Sequence, residues 1–321
     1  MPPAIHGNHH LTFCVGGAQE DYDFHTRTLG LRSIKKTALY DGEVPIYHLY
    51  YGNAEGDAGT ILTSFPMRQQ GIRGRLGTNQ ISRLNLSVPV ESLGFWAQRL
   101  ADHGIASVVA DGYGHARLHF THPCGIPYGL VADGDGDPAR SWERGGVPAA
   151  NAILGTHGIA VNVADPQEMV RYLEKGLGAS AAGSEGPSSR FELGSTGRGR
   201  HVEIVEDPQG PPGTWFFGEG TVHHCAWDIG DAEAQMALKG WLEGLGYTDC
   251  TESKDRGYFL SVYNRTPGGA LFEYAWSKPE LWTIDEDAAH LGESFQIPPP
   301  FLHQKDYILG YLEPIDTGTA A

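Results

Sequence analysis

Three side chains of this 321-residue sequence stand out as candidates to hold one metal ion together: His10, His224 and Glu273. Two imidazoles and one carboxylate can occupy one face of an octahedron and leave other positions open, the ligand set of non-haem Fe(II) oxygenases, which must admit substrate and dioxygen together. Zinc accepts the same donors with a water as fourth ligand, and Mn(II) can replace iron, so residue types alone leave the metal open. Side chains alternate along a strand, which puts Thr12 on the face of His10 and makes it a pocket residue.

Internal repetition selects these three. The run His9-His10-Leu11-Thr12-Phe13-Cys14-Val15 is followed by Gln19 and Gly30, and the run His157 to Val163 by Gln167 and Gly178, a constant shift of 148 residues. A second pair repeats likewise: Ile81 to Leu86 corresponds to Val222 to Trp227, and Pro123-Cys124-Gly125 to Pro267-Gly268-Gly269. The chain is therefore four similar modules, two in each half. At matching positions His10 faces Gly158, His224 faces Arg83 and Glu273 faces Gly129, so metal-capable residues stand in modules one and four alone. That predicts one metal per chain, in a cup built by those two modules.

The elements that must position the ligands follow from periodicity. Each module opens with a short alternating strand and continues into a helix of roughly ten to fifteen residues. In module three Asp165 is the expected N-cap and Pro166 the first helical residue, and in module four Leu238, Trp241, Leu242 and Leu245 fall on one face. Strand-like runs follow each helix, among them Ile46 to Tyr51, Thr60 to Thr63, His201 to Val205 and Tyr258 to Tyr263. The expected class is α+β, with four βαβββ modules. The expected domains are residues 1–145, 150–280 and a C-terminal extension, 281–321, which repeats nothing earlier. The Gly-, Asp- and Pro-rich stretch from Asp133 to Asn151 reads as the linker.

Composition excludes several classes. With 39 acidic against 23 basic residues the formal charge is −16, which repels nucleic acid and anionic membranes. The opening lacks a signal-peptide pattern and no apolar run approaches the roughly 20 residues of a membrane span, so a soluble, cytoplasmic protein is expected. Cys14, Cys124, Cys225 and Cys250 contain no CxxC pair and read as buried thiols. Asp133 to Asp137 hints at a calcium loop but carries Pro138 and Arg144 at the positions of the required Gly and Glu. His48, His103, His115, His119 and His122 are expected at the surface or in packing, and Tyr47 to Tyr51 in the core.

The ordered motifs carry a family resemblance. They are the His-His-x-Thr opening at His9 to Thr12, Tyr40-Asp41-Gly42, Pro45 to Tyr50, Thr63 to Pro66, His223-His224, Arg256-Gly257-Tyr258-Phe259 and Arg265 to Gly269 leading to Phe272-Glu273. Together they span nearly the whole chain. The sequence resembles the vicinal-oxygen-chelate superfamily of glyoxalases, bleomycin-resistance proteins and type I extradiol dioxygenases, and within it the hydroquinone 1,2-dioxygenase branch. The resemblance implies two vicinal-oxygen-chelate domains and Fe(II) held by His10, His224 and Glu273, with Mn(II) or Zn(II) as lesser candidates. It also implies a small aromatic substrate and dioxygen as partners, a homo-oligomer, and Thr12, His223, Arg256 and Tyr263 around the substrate. Strand alternation sends His223 and His224 to opposite faces, so a role for His223 requires a bend in the chain. A catechol-type extradiol enzyme, a non-redox glyoxalase-like enzyme and an aromatic-binding resistance protein are the alternatives.

Overall fold

The computed structural model describes residues 1–40, 42–195 and 197–318; Asp41 of the Tyr40-Asp41-Gly42 motif lies outside them. All four modules fold as β-α-β-β-β. Module one comprises β1 (Gly7–Val15), α1 (Ala18–Asp23), β2 (Arg32–Leu39), β3 (Ile46–Gly52) and β4 (Ile61–Pro66). Module two comprises β5 (Gln80–Val88), α2 (Leu93–Asp102), β6 (Ser107–Gly112), β7 (His115–Thr121) and β8 (Pro127–Ala132). Module three has β9 (Gly155–Val163), α3 (Gln167–Arg171), β10 (Ser180–Glu185), β11 (Ser188–Glu192) and β12 (His201–Glu206). Module four has β13 (Thr221–Asp228), α4 (Ala232–Gly244), β14 (Lys254–Asp255), β15 (Phe259–Arg265) and β16 (Leu271–Ser277). The extension adds β17 (Phe295–Gln296) and α5 (Lys305–Tyr311).

The helices form where the pattern places them. Asp231 caps α4 by accepting from the Ala234 N–H at 2.7 Å, and Leu238 and Leu242 bury one face of it. Burying each of those leucines contributes about 1.5–3 kcal/mol. Helix α3 starts one residue later than the sequence suggests: Pro166 is the N-cap, while the Asp165 carboxylate accepts from the Gln167 N–H at 3.0 Å. Both α1 and α3 run on into a π-helical turn, Phe24–Thr28 and Tyr172–Gly176, 148 residues apart. No helix among the described residues is long and apolar enough to cross a membrane.

Two sheets gather the strands, in the orders β14-β15-β16-β13-β1-β4-β3-β2-β17 and β10-β11-β12-β9-β5-β8-β7-β6. Each sheet draws one module from each half of the chain, and in each the two modules meet through their first strands, β1 with β13 and β5 with β9. Register shifts interrupt both central pairings. Asn8 and His10 pair with the adjacent residues Trp227 and Ala226, which leaves His9 extra. Thr12 and Phe13 pair with His224 and Val222, which leaves His223 extra. Ser82 and His157 are the extra residues at the matching places of the second sheet. These are β-bulges, which bend a strand and re-aim a side chain.

The stretch after Asp133 forms three short turns tied to its surroundings. Arg140 bonds Asp57 and Glu55, Val147 is buried, and the Asp133 carboxylate meets His157 Nδ1 at 2.5 Å. The extension closes against module one. Lys35, wholly buried on β2, donates to Glu286 at 2.5 Å and Asp285 at 2.6 Å, while Trp282 donates to the Gly56 carbonyl at 2.8 Å. All four cysteines are free: Cys14 and Cys225 are buried, Cys124 and Cys250 half-buried.

Candidate metal centre

The first strands of modules one and four run side by side, and β16 pairs parallel with β13, so His10 converges with His224 and Glu273, both more than 200 positions away in sequence. Nε2 of His10 lies 3.0 Å from Nε2 of His224. Oε2 of Glu273 lies 2.8 Å from the latter and 3.5 Å from the former. Donors about 2.1 Å from one ion and at right angles to each other would be about 3 Å apart, so the triangle fits a single cation. Oε2 of Glu273 is buried and lacks a hydrogen-bond partner within the described structure, as a metal-directed oxygen would. Burial opposes the charge on Glu273, yet His10 and His224 outweigh it and hold the carboxyl well below its ordinary range.

Each imidazole is braced by its neighbour in sequence. Nδ1 of His10 lies 2.8 Å from Nδ1 of His9, whose Nε2 lies 2.8 Å from Ser277 Oγ. Nδ1 of His224 lies 2.8 Å from Nδ1 of His223. If Nε2 of His10 or His224 faces a cation, its proton must sit on Nδ1 and be donated to the preceding histidine. Burial first, and then the adjacent ring, drives His9 down to about 3 and His223 well below 6.5, so both stay neutral and able to accept. The Ser261 hydroxyl donates to Oε1 of Glu273 at 2.5 Å and fixes that carboxylate.

The residues expected around the substrate, Thr12, His223, Arg256 and Tyr263, stand near this triangle. Tyr263 faces Glu273 across the β15–β16 ladder, and its ring stands edge-on to His224 at 5.6 Å. Arg256 donates from Nε to the Tyr263 hydroxyl at 3.1 Å. Burial disfavours the Arg256 charge, but Tyr263 and Glu273 keep it firmly protonated. Thr12 hydrogen-bonds Thr63 at 2.8 Å, Thr63 reaches His48 Nε2 at 3.1 Å, and Tyr50 meets His48 Nδ1 at 2.9 Å.

His48 thus belongs to the site, although the sequence reading placed it at the surface or in packing. Its counterpart in module three is Ser188, a match that only the strand register of the folded chain reveals. Ser261, Thr63 and Ser277 carried no signal in the sequence, because isolated hydroxyls in strands are common. Phe217 stacks on His223 at 3.9 Å, and a groove of about 380 Å³ lined by Trp215, Phe217 and Arg265 lies beside it.

A second buried group has ligand atoms equally close: Asp21, His25 and His122. Its chemistry is different. Asp21 already accepts from Tyr51 at 2.7 Å and Ser64 at 2.5 Å, and both nitrogens of His25 are engaged, by the Asp21 carbonyl and the Tyr128 hydroxyl. Asp21 Oδ1 and His122 Nε2, 3.3 Å apart, have no hydrogen-bond partner among the described residues, but with both nitrogens of His25 engaged the group reads as a core network joining module one to module two.

Comparison with known proteins decides the family. No family model matches the chain. It is 37% identical over 311 residues to the chlorohydroquinone/hydroquinone 1,2-dioxygenase of Sphingobium indicum, covering 96% of both chains. The chain belongs to the ring-cleaving dioxygenases. The dioxygenase is also 33% identical to MhqO of Bacillus subtilis, named for ring-cleaving dioxygenase activity, over 91% of each chain. A crystal structure of a Bacillus subtilis protein described as a dioxygenase superposes with a TM-score of 0.90 at 31% identity, over 98% of the dioxygenase and 99% of that chain. Glyoxalase I from Zea mays matches with a TM-score of 0.62 at 13% identity, over 84% of the dioxygenase and 92% of that chain. This last likeness is one of architecture alone, the paired βαβββ modules.

Proposed function

We propose that this dioxygenase uses Fe(II), held by His10, His224 and Glu273, to open the ring of a hydroquinone and place both atoms of dioxygen in the product. The observation that carries the reading is the buried Nε2, Nε2 and Oε2 triangle with its unpartnered carboxylate oxygen. The hydroquinone activity in the name of the Sphingobium indicum relative supports the substrate. Bound iron supplies the redox chemistry that lets dioxygen react with an aromatic ring.

The protein's own groups do the rest. A catechol can chelate a metal through two adjacent hydroxyls, whereas a hydroquinone offers one, so its ring has to be oriented by contacts around the metal. Arg256 and Tyr263 offer a charge-assisted donor pair on one wall, and His223 stands on another. Thr12, Thr63, His48 and Tyr50 form a hydrogen-bonded chain along which a phenolic proton can leave. The balance is one hydroquinone and one dioxygen giving one ring-opened acid that keeps every atom of both.

Anaerobic loading with Fe(II), followed by oxygen uptake on hydroquinones and catechols, tests the reading. Larger kcat/KM for hydroquinone or a singly substituted hydroquinone is expected. A tenfold preference for catechol, about 1.4 kcal/mol in transition-state stabilisation, would move the chain to the catechol-cleaving class. Metal binding without oxygen uptake would favour a glyoxalase-like reaction.

A further inference from the structure

The second sheet curls into a cup of its own. Arg117 on β7 donates from Nη1 and Nη2 to the two carboxylate oxygens of Glu203 on β12, at 3.2 and 2.6 Å. Strands β9, β5 and β8 lie between those two in the sheet, so the bond spans the open side of a curled surface. Register equates this interior with the metal centre. Asn85 pairs with Gly129 and Gly158 here, as Ala226 pairs with Glu273 and His10 there. Where the first cup holds its ligand triangle, the second has two glycines and Arg83.

The polar groups of this cup are not satisfied from within. Among the described residues fifteen buried side-chain nitrogen or oxygen atoms have no hydrogen-bond partner. Seven belong here: both amide atoms of Asn85, Nε of Arg117, Nε and Nη1 of Arg190, Nε2 of His157 and Nδ1 of His201. Folded proteins leave few such groups, and a concentration in one cup marks a place where something polar sits. Four of the seven, on Asn85, Arg117 and Arg190, can only donate.

The charge has a sign. Glu203 neutralises Arg117, whereas among the described residues neither Arg83 nor Arg190 has a carboxylate within 4 Å. Arg83 reaches His119, with Nη1 3.5 Å from Nε2. Burial first, then the surrounding arginines and, for His201, His157 as well, hold His119 down to about 4 and His201 to about 3. At the rim Tyr113, in the tight turn between β6 and β7, sets its ring 4.3 Å from the Arg190 guanidinium and bonds Ser188 through its hydroxyl at 2.8 Å.

We infer that this second cup binds a small organic carboxylate through Arg83, Arg190 and Asn85. Its identification with the ring-opened product rests on the function proposed above. Ring opening turns a neutral phenol into an acid that is anionic at neutral pH, so a cationic cup admits product and refuses substrate.

Calorimetric titration of the full chain with muconate, a six-carbon unsaturated dicarboxylate, tests this. Saturable binding is expected both to the wild type and to Glu273→Ala, in which the metal centre is disabled. Arg83→Gln and Arg190→Gln should weaken it at least tenfold with unchanged circular dichroism, and Arg83→Lys should recover part of the loss. Binding abolished by Glu273→Ala but kept in the arginine variants would put the carboxylate at the metal centre and overturn the inference. Equal displacement by inorganic phosphate, or no saturation by about 10 mM, would overturn it too. Failure of the function reading is seen separately, as absence of oxygen uptake on hydroquinone while muconate still binds.

Discussion

His223 and His224 are consecutive in a strand, yet their Nδ1 atoms lie 2.8 Å apart. The bulge at His223 is the cause, since it sets two residues of β13 against one of β1 and turns both rings to the same side. His9 and His10 repeat the relationship across the sheet, with the same spacing of 2.8 Å. His10 and His224 therefore each have a neutral partner positioned to accept from Nδ1. His223→Phe should weaken metal binding by roughly 10–100-fold while leaving the fold intact. Equilibrium dialysis against Fe(II) or Mn(II) measures it, and unchanged affinity would remove His223 from that role.

Glu273→Ala should abolish turnover through loss of metal, because it removes the one anionic donor of the triangle. Tyr263→Phe and Arg256→Ala should keep their metal and lower kcat/KM at least tenfold, about 1.4 kcal/mol. Metal content and oxygen uptake on the same samples separate the two behaviours. An Arg256 variant that loses metal as fully as the Glu273 variant would contradict its placement on the substrate wall.

Metal stoichiometry should be one per chain. The second sheet has Arg83, Gly129 and Gly158 in place of ligands, and His25 in the Asp21 cluster has no free ring nitrogen. Elemental analysis of the loaded protein would show a value near two if that cluster took a second ion.

Lys35→Met should cost about 3–5 kcal/mol of unfolding free energy, since it leaves the carboxylates of Asp285 and Glu286 facing a site with no cation. Urea denaturation gives the number directly. A loss below about 1 kcal/mol, the worth of an exposed pair, would mean the extension is held by Trp282 and its neighbours alone.

Stability should fall as pH drops below about 6.5. His201 and His119 are held neutral in the fold, at about 3 and 4, by burial first and then by His157, Arg190 and Arg200 for His201 and by Arg83 and Arg117 for His119, while the carboxylates of Asp133 and Glu203 pull the other way. The unfolded chain therefore binds more protons below the free-imidazole value, and acidification favours it until the folded values are reached. Asp21 acts lower down: its folded pKa is depressed, so its contribution is complete above about 4 and is lost only below that. Urea midpoints at pH 7 and pH 5, with His201→Gln flattening the difference, check the upper window.

The four modules, their helix faces and the grouping of His10, His224 and Glu273, which the fold brings together, were legible in the amino-acid sequence because repetition exposes them. A residue that can bind a metal at one copy and not at another stands out without any geometry. The hydrophobic periods of α4 and of the strand runs were equally plain, being local properties of three to eight neighbours. His48, Ser261 and the bracing of His224 by His223 were not legible. A bulge depends on how two strands distant in sequence settle their register, and alternation within a single strand gives the opposite answer for His223. The arginine-lined cup was hidden for the same reason: Arg117 and Glu203 are 86 residues apart, and only the curl of an eight-stranded sheet brings them to 2.6 Å. Local sequence sets each strand and its faces, while the pairing of remote strands, driven by burying both sheets' apolar sides at once, decides which polar side chains share an interior.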